Sequence, residues 1–152
     1  MREGDLAPDF ELPSEQGATV RLSEELEKGP VVLFFYPKAF TSGCTQESCH
    51  FRDVGAEFAA LGARRLGISA DPVERQKEFA GKYELGYPLL SDTDRSVARL
   101  FGVKRPGPLF NKRATFVIDT DRRILRTVHS EIHMERHADE ALAALRGRPD
   151  NS

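Results

Sequence analysis

Residues 31–36 read Val-Val-Leu-Phe-Phe-Tyr, an apolar run with no polar break, bounded by Gly29-Pro30 on one side and Pro37 on the other. A strand covered on one face alternates apolar and polar positions, so a short uninterrupted run marks a strand buried on both faces. A sheet built around it needs helices on two sides, which is the α/β class.

The flanking sequence supplies those elements. Phe10–Leu12 and Thr19–Leu22 are short extended candidates around a polar turn, and Ser23 before Glu24-Glu25-Leu26 reads as the cap of a short helix. From about Ser42 to Leu61, Phe51, Val54, Phe58 and Leu61 recur at helical spacing, and Gly62 is placed to end that helix. Residues 65–70 form the next strand, Asp71-Pro72 opens a helix running to about Glu84, and a further short helix covers roughly Arg95 to Phe101. Residues 114–119 and 123–129 read as an antiparallel hairpin, and a last amphipathic helix runs from about Glu135 to Leu145. The order β-α-β-α-α-β-β-α predicts a thioredoxin-like fold: a central mixed sheet with helices on both faces and an N-terminal β-hairpin extension.

A chain of 152 residues, 39% hydrophobic, is expected to form one domain over residues 1–152. A formal net charge of -2 gives no field to gather nucleic acid or an anionic membrane. The longest apolar run is too short to span a bilayer, and the first ten residues lack the apolar core of a secretory signal, so a cytoplasmic location is expected. Two cysteines argue against a structural disulfide framework.

The informative stretch is Tyr36-Pro37-Lys38-Ala39-Phe40-Thr41-Ser42-Gly43-Cys44-Thr45-Gln46-Glu47-Ser48-Cys49, where the buried strand delivers the chain to the start of a helix. The first amides of a helix have no internal partners and the macrodipole favours negative charge there. With Thr41 or Ser42 as N-cap, Cys44 falls in the first turn. A free cysteine is only about 3% thiolate at pH 7, whereas a helix N-terminus with a nearby cation makes the thiolate the main species. That is the setting of a reactive thiol.

The stretch closely resembles the peroxiredoxin motif Pro-x-x-x-Thr-x-x-Cys, here Pro37, Thr41 and Cys44. Its continuation, with a second cysteine five positions on, is similar to the peroxiredoxin Q group, also called bacterioferritin comigratory proteins. The resemblance takes in residues 4–10 (GDLAPDF), 51–53 (FRD), 67–71 (GISAD), 88–92 (PLLSD) and 113–119 (RATFVID). It implies a thiol peroxidase acting on hydrogen peroxide and organic hydroperoxides. Cys44 would be the peroxidatic nucleophile and Cys49 the resolving cysteine of an intramolecular disulfide. Thr41 would orient the peroxide, Pro37 would shield the pocket, and Arg113 would be the active-site arginine. Glu47 matches a recurrent family position; its charge would oppose a thiolate at close range, so it is given a positioning role. The implied reductant is thioredoxin, with glutaredoxin or a small thiol as alternatives. No metal, haem or flavin is required, and the chain would be a monomer or weak homodimer.

Two departures stand out. Many members of the group have Lys-Asp-Asp/Glu-Thr-Pro-Gly-Cys where this chain has Lys38-Ala39-Phe40-Thr41-Ser42-Gly43-Cys44, so Phe40 is expected to make the pocket rim more apolar. The loop Lys104–Lys112 is shorter and more basic than is common in the group.

Plainer readings stay open at several positions. Cys49 could be a bystander, Arg113 a solvated arginine beside Lys112, and Thr41 a helix cap only. His129, His133 and His137 are spaced like a metal set, but the strand-to-helix change between them breaks a common face and points to an exposed polar rim. Two rival functions share the fold. A disulfide oxidoreductase would carry C-x-x-C at the helix start, which is absent, and a peroxide sensor or redox relay would pass oxidation to a partner. In a regular helix Cys44 and Cys49 lie about 8–9 Å apart at Cα, beyond the ~4.4–6.8 Å a disulfide tolerates. Their bond therefore requires residues 44–49 to unwind.

Overall fold

The computed structural model describes residues 1–107 and 109–148. Its first elements are β1 (Glu11–Pro13), β2 (Thr19–Arg21) and α1 (Leu22–Leu26), then β3 (Val31–Phe35), α2 (Ser42–Asp53) and α3 (Gly55–Ala60). They are followed by β4 (Arg64–Ser69), α4 (Val73–Tyr83), β5 (Leu89–Ser91), α5 (Ser96–Leu100), β6 (Ala114–Ile118), β7 (Ile124–His129) and α6 (Glu135–Arg146).

β1 and β2 form a separate antiparallel hairpin, and the main sheet has the order β5-β4-β3-β6-β7. β3 pairs parallel with β4 and antiparallel with β6, so the apolar run forms the centre of a mixed sheet. Its side chains alternate between two cores, as period-2 geometry dictates. Val31, Leu33 and Phe35 join Phe10, Leu22, Val97 and Phe101 on one face. Val32, Phe34 and Tyr36 join Cys44, Phe51, Phe58, Phe79 and Leu142 on the other. This is a thioredoxin-like α/β fold with an N-terminal hairpin.

Three sequence readings are corrected. The helix expected over 42–61 is two helices, because Val54 (φ -98°, ψ 21°) leaves the helical path. Arg65 explains the break: its Nη1 donates to the Phe51 carbonyl at 2.8 Å, satisfying an end-of-helix acceptor. The same guanidinium lies 2.9 Å from where a Cβ on residue 55 would sit, so a larger residue there would push the Arg65 side chain aside. Secondly, residues 89–91, which the sequence reading assigns to no strand or helix, are the edge strand β5, paired parallel with β4. Thirdly, Ser23 does not cap α1. The helix begins at Leu22, two residues earlier than such a cap implies, and Asp9 holds its start by accepting from Ser23 N (2.9 Å) and Ser23 Oγ (3.0 Å).

Candidate active site

β3 runs into Tyr36, and the loop 37–41 turns the chain into α2, with Phe40 in the left-handed region at φ 67°. The loop is held from below. Ala39 N donates to Asp71 Oδ2 at 2.8 Å, and Ser69 Oγ donates to the same oxygen at 2.7 Å. Gln76 Nε2 donates to Ser69 Oγ (3.0 Å) and to the Leu90 carbonyl (2.8 Å), while Tyr36 Oη donates to Gln76 Oε1. This buried network ties the loop to the ends of β4 and β5.

Thr41 is the N-cap residue of α2 by position, but its side chain makes no capping bond. Its hydroxyl donates to the Lys38 carbonyl at 2.8 Å, which leaves its lone pairs as acceptors. Pro37 is half-buried beside it. Phe40 is engaged elsewhere: its ring packs on Phe79 (5.1 Å between centroids) and Tyr83 of α4, under the Arg75 guanidinium at 4.3 Å. The expectation that Phe40 makes an apolar pocket rim is replaced by a packing role against α4.

Cys44 lies in the first turn of α2 with no exposed surface. Arg113, immediately before β6, reaches it across the sheet end. Nη2 donates to Cys44 Sγ at 3.2 Å and Nη1 to Glu47 Oε1 at 2.7 Å. Burial works against the guanidinium charge, but Glu47 and Cys44 outweigh it and hold its pKa above the usual arginine value. Gly43 leaves room for the approach, since a Cβ there would lie 3.2 Å from Nη2. The backbone N–H of Arg113 donates to Glu131 Oε2 at 2.9 Å, and Glu131 also pairs with Arg105 of the basic loop. Arg95 holds that loop from the other side, donating to the carbonyls of Leu109 (2.6 Å) and Gly107 (2.5 Å).

Glu47 is three residues beyond Cys44 and wholly buried. Burial pushes its pKa up to about 8, against the pull of Arg113. Burial thus disfavours the carboxylate charge that would oppose a thiolate.

His137 was missed. It is not on an exposed rim but fully buried, with Nδ1 2.8 Å from Thr115 Oγ1, Nε2 2.8 Å from the Ser130 carbonyl, and Nδ1 3.5 Å from Glu47 Oε2. The signal was in the sequence: residues 137, 138, 141, 142 and 145 share one face of α6. His129 and His133 are exposed. Among the described residues no three His, Cys, Asp or Glu side chains are grouped as a metal site.

Cys49 is half-buried on α2, and both cysteines are free thiols. Burial pushes the Cys49 thiol up, with Arg52 opposing and Asp53 adding to the effect.

Residues 4–127 match the AhpC/TSA family. Peroxiredoxin Bcp of Bacillus subtilis is 38% identical over 149 residues, covering 94% of each chain. The chloroplastic peroxiredoxin Q of Arabidopsis thaliana is 40% identical over 149 residues, covering 96% of this chain and 68% of its own. The crystal structure of peroxidoxin BcpB from Mycobacterium tuberculosis is 54% identical with a TM-score of 0.95, over 99% of both chains. The chain belongs to the peroxiredoxin Q group. As a peroxiredoxin it is a thiol peroxidase, with a peroxide as substrate and a thiol-disulfide partner as reductant. Among the described residues no helix is long and apolar enough to cross a membrane.

Proposed function

We propose that Cys44 is the peroxidatic nucleophile, with Arg113 and Thr41 as the groups that act on the peroxide. The observation that carries this is the 3.2 Å contact from Arg113 Nη2 to Cys44 Sγ in the first turn of α2, in a site without exposed sulfur. The thiolate attacks one peroxide oxygen, the O–O bond breaks, and the alcohol or water leaves with a proton as Cys44 becomes a sulfenic acid. Arg113 and the amides of the first turn of α2 stabilise the charge that develops, the term that usually dominates such steps. The Thr41 lone pairs accept the peroxide hydrogen, and Pro37 limits water. Because Sγ is covered, the peroxide reaches it by a shift of the loop 37–41.

Cys49 then attacks the sulfenic sulfur, water leaves, and a Cys44–Cys49 disulfide forms once residues 44–49 leave the helix. Unwinding exposes Cys49, relieves the burial that keeps its thiol protonated, and presents the bond to a dithiol reductant. Thioredoxin is the reductant in this reading, and both hydrogen peroxide and organic hydroperoxides are substrates.

The test is single-turnover peroxide consumption followed by turnover with thioredoxin. Cys44→Ser should consume no peroxide while keeping its fold. Cys49→Ser should consume roughly one equivalent per chain and then stall, accumulating sulfenic or sulfinic Cys44. Near-normal turnover in the first variant removes Cys44 as nucleophile, and steady turnover in the second reassigns resolution to another thiol.

A further inference from the structure

Glu47 Oε2 has no hydrogen-bond partner among the described residues, although the carboxyl has no exposed surface. His137 Nδ1 lies 3.5 Å from it and is equally buried. The other ring nitrogen fixes the tautomer. Nε2 is 2.8 Å from the Ser130 carbonyl oxygen, which can only accept, so Nε2 carries a hydrogen. In a neutral ring Nδ1 is then a lone pair facing Glu47 Oε2, with Thr115 Oγ1 also 2.8 Å away. The Thr115 hydroxyl can serve that lone pair, but a carboxylate oxygen facing it at 3.5 Å is left as a buried acceptor without a donor. One proton between them, with a sub-ångström closing of the gap, resolves this.

The charges lead to the same place. Arg113 brings one positive charge and touches both Cys44 Sγ and Glu47 Oε1. A thiolate and a carboxylate together would share that single cation in a buried site. We propose that Glu47 and His137 hold one proton between them, keeping the pair neutral so that the Arg113 charge is left to the Cys44 thiolate. This rests on Cys44 being the nucleophile. His137 is a positioning residue acting through Glu47; the proton lies between Oε2 and Nδ1, and the Thr115 hydroxyl accepts or donates as it moves.

The groups facing the pair come from several elements: Cys44 of α2, Arg113 and Thr115 at β6, Glu131 before α6, Glu140 of α6, and Tyr87 before β5. Burial pushes Glu47 up and His137 down, so each is largely neutral near pH 7. Glu131 opposes a second negative charge on Glu47, and Arg113 pulls the other way. Once alkaline pH removes the shared proton, the pair becomes an anion and claims Arg113. The peroxide step then slows.

The experiment follows two readouts on the full reduced chain across neutral to alkaline pH. One is the single-turnover rate of peroxide consumption. The other is the protonated-carboxyl C=O stretch in infrared difference spectra of the wild type against Glu47→Gln. The expected result is a carboxyl band at neutral pH that fades in step with the rate. The alkaline fall should be absent in Glu47→Gln, relative to that variant's own neutral rate, and should move to lower pH in His137→Phe together with the band. A Glu47 carboxylate at neutral pH, or a band and a rate that move independently, overturns the proposal. Should His137→Phe not fold, ¹⁵N resonances of His137 in the wild type decide. An Nδ1 that shifts with the carboxyl band supports the shared proton, and one that stays fixed overturns it. Failure of Cys44 as nucleophile would show as Cys44→Ser activity, and the spectra would still report the proton.

Discussion

Replacing Tyr87 by Phe should speed the second chemical step and leave the first alone. Tyr87 Oη donates to the carbonyl of Ser48 at 2.7 Å in a buried position. Ser48 lies between Cys44 and Cys49, in the stretch that must leave the helix before the two sulfurs can meet. The substitution removes only the hydroxyl. The ring keeps its edge contact with Phe34 (5.8 Å) and its place under the Arg65 guanidinium (4.8 Å). A hydrogen bond of this kind contributes about 0.5–1.5 kcal/mol net, so losing it favours the unwound state by about 2- to 13-fold. If disulfide formation passes through that state, its rate should rise by the same factor. The chain has no tryptophan, so fluorescence is a poor monitor. Timed alkylation after a peroxide pulse, read by mass spectrometry, separates thiol, sulfenic acid and disulfide. Peroxide consumption should not change, because the hydroxyl does not touch Cys44. A lower thermal midpoint with an unchanged disulfide rate would refute the reasoning, since Ser48 would then stay put during resolution.

Arg113→Ala removes a cation 3.2 Å from the sulfur, an attraction capped at about 5 kcal/mol for an effective dielectric near 20. Loss of such a charge-stabilising donor should slow peroxide consumption by about 10²–10³-fold, and a loss below tenfold would put the guanidinium outside the chemistry. Phe51→Ala empties a ring stacked between Phe34 (4.2 Å) and Phe58 (5.8 Å); chemical denaturation should register about 3–5 kcal/mol. Asp71→Ala frees Ala39 N and Ser69 Oγ, so amides 39–41 should exchange faster, and unchanged protection would show that the loop holds itself. Glu47 has a folded pKa of about 8 against an ordinary value of 4.5, so the native chain binds the extra proton between them. Its contribution to stability is full below pH 4.5 and lost as pH rises through about 8. Denaturation of Glu47→Gln across that window should lack this decline.

The parts of the fold that were legible in the sequence were those where one local pattern decides. Val31 to Tyr36 reads as a doubly buried strand, and the pairing of residues 114–119 with 123–129 follows from two β-rich runs around a short turn. β5 was missed because three residues, Leu89–Ser91, are too few to show a period. The α2–α3 break was hidden because Phe51, Val54, Phe58 and Leu61 keep helical spacing through it, while its cause, Arg65, lies on another element. The Cys44 thiol could be read from its place at a helix start. Its partner Arg113 is 69 residues away and came only through resemblance, since spacing cannot bring such residues together. His137 belongs to a three-histidine spacing that suggests a polar rim, while its place on the apolar face of α6 puts it in the core. Phe40 is expected from sequence to line the pocket rim, whereas its ring, on a left-handed backbone, packs onto α4.

The two ends of α2 are held to very different degrees. Its last turn is fastened by Arg65 to the Phe51 carbonyl and by Arg52 Nη1 to the Tyr83 carbonyl at 2.7 Å, with Phe51 wedged in the aromatic stack. Its first turn hangs on the side chains of the site itself. The helix is thus divided into a part that selection must keep for folding and a part it can tune for speed. Substitutions at 51 and 52 should appear as lost expression or solubility, while those at 41–45 should appear as changed rates in a protein that still accumulates normally. A mutational scan that scores abundance and peroxide resistance separately would draw that boundary within a single helix.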